Sequence, residues 1–127
     1  MAINKREVIS FRKSIAAGAS DVIRERVKAP GTLEEVRVRF NPGQANSLRI
    51  RPVVEHKGNR LEDLVTYPSG TNQFLSGDDD YLILPCSIVV DNDDFVEIIA
   101  TNTGAFTYTI VCDVVIDYLY GSERANA

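Results

Sequence analysis

The stretch AFTYTIVCDVVIDYLY, residues 105–120, alternates with a period of two. Phe106, Tyr108, Ile110, Cys112, Val114, Ile116 and Tyr118 share one parity, and all are apolar or aromatic. The other parity holds Thr107, Thr109, Asp113 and Asp117, with Val111, Val115 and Leu119 mixed in. Successive side chains of an extended chain point to opposite faces, so this run predicts one long strand with one face in a core. Its β-branched and aromatic content suits a pleated, half-buried surface.

The same period recurs upstream. In EVRVRF, 35–40, Val36, Val38 and Phe40 point in while Arg37 and Arg39 point out. In LRIRPVVE, 48–55, Leu48 and Ile50 point in while Arg49 and Arg51 point out, and Pro52 marks an edge or a bend. NPGQANS, 41–47, is a turn between them. YLILPCSIVV, 81–90, is apolar on both parities, which predicts burial on both sides or a bend at Pro85. FVEIIAT, 95–101, EDLVTY, 62–67, and EVISFRKSI, 7–15, read as further strands. DVIRERV, 21–27, fits a strand or a short helix over 20–28 that Ala29-Pro30-Gly31 stops. About eight strands with frequent turn signals predict an all-β, antiparallel β-sandwich of jelly-roll type.

A chain of 127 residues, 44% hydrophobic, makes one domain with a core that needs no disulfide. The expected domain is 1–127, with 1–6 and 122–127 as terminal arms. The opening residues MAINKREVIS are charged and lack the apolar stretch of a secretion signal. No run reaches the roughly 18 apolar residues of a membrane span, so the expectation is a protein made in a cytoplasm, without a membrane partner. Cys86 and Cys112 are the two cysteines; far apart in apolar runs, they read as buried thiols or as a disulfide between neighbouring strands, not as a zinc pattern.

Charge is segregated along the chain. Residues 1–60 hold 13 basic and 6 acidic side chains, and residues 61–127 hold 1 basic and 12 acidic. Either basic strands lie beside acidic ones within one fold, or a basic surface of one copy meets an acidic surface of another. If 35–40 and 48–53 form a hairpin, Arg37, Arg39, Arg49 and Arg51 converge on one face. Like charges directly opposite destabilise a sheet. Asp113, Asp117 and Glu97 are the expected internal partners, and an acidic protein surface is the alternative. A nucleic acid partner is disfavoured by the net charge of −4 and the lack of interleaved aromatics.

Asp78, Asp79 and Asp80 precede an apolar strand, and Asp91, Asp93 and Asp94 follow it. Neither group matches an EF-hand loop. The expected role is turn chemistry and protection against aggregation, with a calcium site at either group, Asp78, Asp79 and Asp80 or Asp91, Asp93 and Asp94, as the alternative. His56, in EHKGN, reads as an exposed loop residue. There is no nucleophile motif, phosphate-binding glycine loop or zinc-binding H-E-x-x-H. Neither an enzyme nor a cofactor is expected. With no Trp, Tyr67, Tyr81 and Tyr120 are the only platforms for a sugar ring.

The order of features, KAPGTLEEVRVRFNPGQANSLRIRP, then HKGNRLEDLVTYPSG, then SGDDDYL, then VCDVVIDYLYG, resembles small structural proteins of tailed-phage virions. The likeness is to capsid decoration proteins and to neck or adhesin subunits. It implies a non-enzymatic virion protein that binds a major capsid protein or other virion proteins and stabilises the particle. A homo-oligomer is expected, with a trimer favoured, and Arg37, Arg39, Arg49, Arg51, Asp78, Asp79 and Asp80 are the expected interaction surface. The alternative is a carbohydrate- or cell-surface-binding sandwich with structural calcium.

Overall fold

The computed structural model of the chain describes residues 2–67 and 73–121. Its strands are β1 (Ala2–Ile15), β2 (Ser20–Arg26), β3 (Gly31–Phe40), β4 (Leu48–His56), β5 (Arg60–Asp63), β6 (Asp80–Val90), β7 (Phe95–Asn102) and β8 (Tyr108–Gly121). They form two four-stranded sheets, in the orders β1-β8-β3-β6 and β2-β7-β4-β5. All pairings are antiparallel. This is a jelly roll, as the spacing of strands and turns predicts. No helix among the described residues is long and apolar enough to cross a membrane.

Of the two readings of 20–28, the strand is the one that forms, because Ser20–Arg26 pairs residue by residue with β7. Residues 2–6, read from the sequence as an arm, continue β1 and pair with the end of β8. The arm expected at 122–127 lies outside the described residues. The 62–67 strand is shorter and earlier than expected: β5 ends at Asp63, and farther along β4 its place beside Ile50 is taken by a bridge to Leu75.

The facing sides of the two sheets make the core. Phe11, Leu33, Val36, Val38, Phe40, Ile110, Cys112, Val114 and Ile116 come from one sheet, and Leu48, Ile50, Val54, Val96 and Ile98 from the other. Burying each such aliphatic side chain contributes roughly 1.5–3 kcal/mol. A β-bulge at Leu33/Glu35 places Glu34 and Glu35 consecutively between the buried Leu33 and Val36. The bulge re-phases β3, so both halves of one strand face the core.

The topology also answers the charge segregation. Every ladder apart from β4–β5 joins a strand from before residue 57 to one from after residue 79. Basic early strands therefore lie beside acidic late ones. Arg12 pairs with Asp113 at 2.9 Å, Arg24 with Glu97 at 2.9 Å, and Arg26 with Asp93. Of the two explanations open from the sequence, pairing within one fold is the one realised here.

Candidate functional site

β6 is an edge strand, and its two faces differ. Leu82, Leu84, Cys86, Ile88 and Val90 pack on the core side. The outer face carries Tyr81 at 55% exposure, Ile83 at 52% and Val89 at 74%, with Pro85 also exposed. Burial on both sides, expected from the two apolar parities, is thus corrected: no layer covers the outer face among the described residues. Pro85 lacks an amide hydrogen, so it removes one donor from the strand and blunts a sheet edge. What remains available is an apolar face more than a pairing edge.

Side chains of β3 border that face. Arg37 lies opposite Ile83 in the register, and Arg39 opposite Tyr81. Arg37 Nε donates to Glu35 Oε2 at 2.7 Å, and Arg39 donates to Asp79 Oδ1 at 2.8 Å. The hydrogen bond to Glu35 raises the Arg37 pKa above its ordinary value, so the charge is held firmly. Across the same outer face, Val8 is half exposed opposite Val115, and a shallow depression of about 190 Å³ is lined by Arg6, Glu7, Val8, Arg37 and Val115.

The hairpin that would gather four arginines does not form. β3 and β4 belong to different sheets, so the turn at 41–47 is a crossover. Arg49 and Arg51 sit on the far side of the sandwich. The Arg49 guanidinium lies 4.6 Å from the Phe74 ring centroid, and Arg51 Nε donates to Asp63 at 2.7 Å. Internal pairing is realised with other partners than those expected. Asp113 bonds Arg12 while lying opposite Arg37, and Glu97 bonds Arg24. Asp117 Oδ1 is buried without a hydrogen-bond partner among the described residues.

Asp78, Asp79 and Asp80 are engaged locally. Gly43 N donates to Asp78 Oδ1 at 2.8 Å, and Asp78 N donates to Asp80 Oδ2 at 2.9 Å. Asp79 has φ of 53°, a left-handed conformation that aspartate tolerates in turns. The structure therefore brings Arg37, Arg39 and the three aspartates to the β3–β6 side, and separates Arg49 and Arg51 from them. Ile83 and Val89 were not expected at the surface, and Tyr81 and Pro85 were singled out only as a sugar platform and a bend. The available signal was a Pro inside an apolar run that begins on three charges, which marks an edge as well as a bend.

At the opposite end of β6, Asp93 pairs with Arg26, and Asp94 Oδ2 accepts from Asp91 N at 3.0 Å. Asp94 Oδ2 also lies 3.0 Å from His56 Nδ1, while His56 Nε2 lies 2.8 Å from Glu62 Oε1. His56 is therefore a largely buried strand terminus, not the exposed loop residue expected. Two of the three carboxylates of the alternative calcium site are turned to side chains of the protein. Cys86 and Cys112 are free thiols, and burial pushes them up to about 11 and about 12.

No family model matches the sequence, and no curated protein matches it. The fold has solved counterparts. A chain in the structure of infectious bursal disease virus, Gx strain, superposes with a TM-score of 0.52 at 10% identity over 91% of this chain. A chain in the infectious bursal disease virus VP2 subviral particle does so with 0.51 at 9% identity, also over 91%. This chain spans 32% of the length of each of those chains.

Proposed function

We propose that the chain is a non-enzymatic structural protein of a virus particle, of the tailed-phage capsid decoration or accessory type. The observation that carries this reading is the outer face of β6. Tyr81, Ile83, Pro85 and Val89 form an exposed apolar stripe flanked by the ion-paired Arg37 and Arg39. An apolar patch rimmed by polar groups marks an interaction site. Burial of the stripe supplies affinity, and the bordering charges orient the partner and respond to salt. A stable interface needs about 1,000 Å² in total, so the contact extends across the sheet towards Val8.

The partner is a major capsid protein or another virion protein, and the docked copies form a homo-oligomer, a trimer being the favoured closed ring. The protein is made in the host cytoplasm and resides in the virion. The shared fold with chains from virus particles supports this reading. So does the commitment of the reactive groups to structure: both His56 nitrogens face carboxylates, and both thiols resist ionisation.

The test is co-sedimentation of the purified chain with capsids of its source virus, alongside light scattering of the chain alone. Binding that is lost in the Ile83→Asp/Val89→Asp double variant is expected. A strict monomer that never sediments with particles would overturn the proposal.

A further inference from the structure

Phe106 is 70% exposed, more than any other aromatic side chain among the described residues. The parity of the sequence points it into the core, but β8 begins only at Tyr108. Its position is nonetheless fixed. Asn102 is buried, and its Nδ2 donates to Phe106 O at 2.7 Å and to Ile15 O at 2.9 Å, while its Oδ1 accepts from Gly104 N at 2.9 Å. Thr103 N donates to Ser47 O at 2.9 Å, and Tyr108 OH to Gly43 O at 3.2 Å. These bonds tie the 103–107 loop to the end of β1 and to the 41–47 loop. The ring is held out on a preformed support, which lowers the ordering cost of a contact. Exposed Asp78, Asp79 and Asp80 stand at the same end of the sandwich, because Asp80 pairs with Phe40 where β3 runs into the 41–47 loop. Arg39 answers Asp79, whereas Asp78 and Asp80 accept from the main-chain N–H groups of Gly43 and Asp78.

The outer face of β1 and β8 holds a hollow of matching size. The depression of about 190 Å³ has Val8 and Val115 as its floor and Arg6 and Arg37 at its sides. Val8 is 51% exposed and lies opposite Val115 in the register. An apolar cavity of about 150 Å³ accepts a benzene ring, so one phenyl group fits here. Arg6 bonds Glu34 at 3.1 Å, Arg37 bonds Glu35 at 2.7 Å, and Arg12 bonds Asp113 at 2.9 Å. In each of these pairs the arginine is more exposed than its carboxylate. The face therefore turns guanidinium groups outward, where they meet the face of an aromatic ring and an acidic neighbour favourably.

We infer that copies of this chain join through these two features: Phe106 of one copy fills the Val8–Val115 depression of the next. The ring leaves water for an apolar floor, with Arg6 and Arg37 beside it. Asp78 and Asp80 of the incoming copy are drawn to the outward guanidinium groups. The loops around Phe106 lie against β1 and β8 and supply the rest of the area that a stable contact needs, about 1,000 Å² in total. In a closed ring each copy gives one Phe106 and receives one. The contact rests on the reading of the chain as a self-associating particle protein, and it names the surface through which the copies meet. The β6 stripe is a different surface and stays open for the particle.

The experiment is sedimentation velocity of the purified chain at concentrations up to ~1 mM. The parent is expected to self-associate. Phe106→Ala and Val8→Asp should each weaken association about tenfold or more, and Phe106→Tyr should retain it. Both positions are exposed, so the melting curves should stay with the parent's. An equimolar mixture of Phe106→Ala and Val8→Asp should recover a one-to-one complex, because one variant keeps the depression and the other keeps the ring. A parent that stays monomeric, a Phe106→Ala variant that associates as the parent does, or a mixture that recovers no complex overturns the inference. Capsid binding that Val8→Asp abolishes and Phe106→Ala leaves intact, without self-association, would assign the depression to a virion protein and overturn it equally. Particle docking is judged separately, by co-sedimentation of the parent and of the Ile83→Asp/Val89→Asp variant.

Discussion

Arg24 reaches across the β2–β7 ladder to Glu97, its Nε 2.9 Å from Oε2, and Glu97 is 5% exposed. The hydrogen bond to Glu97 raises the Arg24 pKa above its ordinary value, and the guanidinium also stacks 4.2 Å from the Phe95 ring centroid. The two partners are not equivalent. Losing the arginine strands a buried carboxylate, whereas losing the carboxylate leaves a half-exposed guanidinium that water can solvate. Arg24→Ala is therefore expected to lower the urea midpoint more than Glu97→Gln does. A double-mutant cycle with both changes measures the coupling.

Acid should destabilise the fold through a few carboxylates. Burial raises the Asp113 pKa, but hydrogen bonds from Arg12 and Ser10 and the charges of Arg12 and Arg37 outweigh it, so Asp113 sits below its ordinary 3.8. Glu7, bonded to Lys28, sits below its ordinary 4.5. A depressed carboxylate stabilises the fold above its unfolded value and loses that contribution as pH falls through its folded value. Urea midpoints should therefore hold above about pH 5 and decline steadily below about pH 4. Asp113→Asn should make that decline shallower.

Alkali acts in the opposite sense. Burial pushes Cys86 from 9.0 up to about 11, Cys112 from 9.0 up to about 12, and Tyr67 from 10.0 up to about 12. These groups ionise in the unfolded chain before they do so in the folded one. Their contribution is complete below pH 9 and is lost as pH rises through the folded values. In the native state both thiols should react slowly with a thiol-modifying reagent at neutral pH, and both should react promptly in denaturant.

Gly31 opens β3 and lies opposite Tyr118 of β8. A Cβ there would lie 2.6 Å from Asp117 O and 3.1 Å from Tyr118 Cα, both backbone atoms of a central strand. Gly31→Ala is expected to cost about 3 kcal/mol in urea unfolding. Gly18 lies in an open turn at φ 73°, where an added Cβ would meet nothing within 4 Å. Gly18→Ala should cost only about 1 kcal/mol, from backbone strain alone.

Val89 touches solvent over most of its surface. Val89→Asp should therefore shift stability by no more than about 0.5 kcal/mol. It should nonetheless weaken particle binding, which separates a docking face from a folding face in one pair of measurements.

Strand positions were legible because burial of one face imprints itself on alternate residues, as in Ile110, Cys112, Val114 and Ile116. Partners were not legible. The seven residues 41–47 can close a hairpin or cross between sheets, and the outward parity of Arg37, Arg39, Arg49 and Arg51 is the same either way. The left-handed conformations at Gly43, Ala45 and Asn46, with φ of 90°, 47° and 61°, belong to the crossover and have no counterpart in a residue pattern. In 81–90 both parities are apolar, so periodicity could not show that one of them faces solvent. Phe106 keeps the core parity of β8 but lies outside the strand, where parity no longer fixes direction. Of the sugar platforms expected, Tyr67 is half-buried, Tyr81 lies on β6, and the side chain of Tyr120 lies outside the described residues.

The interleaving of early and late strands has a kinetic consequence. While only the segment up to His56 has emerged from a ribosome, it holds four future strands and no ladder that joins any two of them. Such a chain must wait, cationic and unzipped, until β6, β7 and β8 arrive with their carboxylates. Folding then proceeds as a single cooperative event over large loop closures, which makes it slow. Attraction between the two halves shortens that search, so raising the salt concentration should slow refolding more than it lowers equilibrium stability.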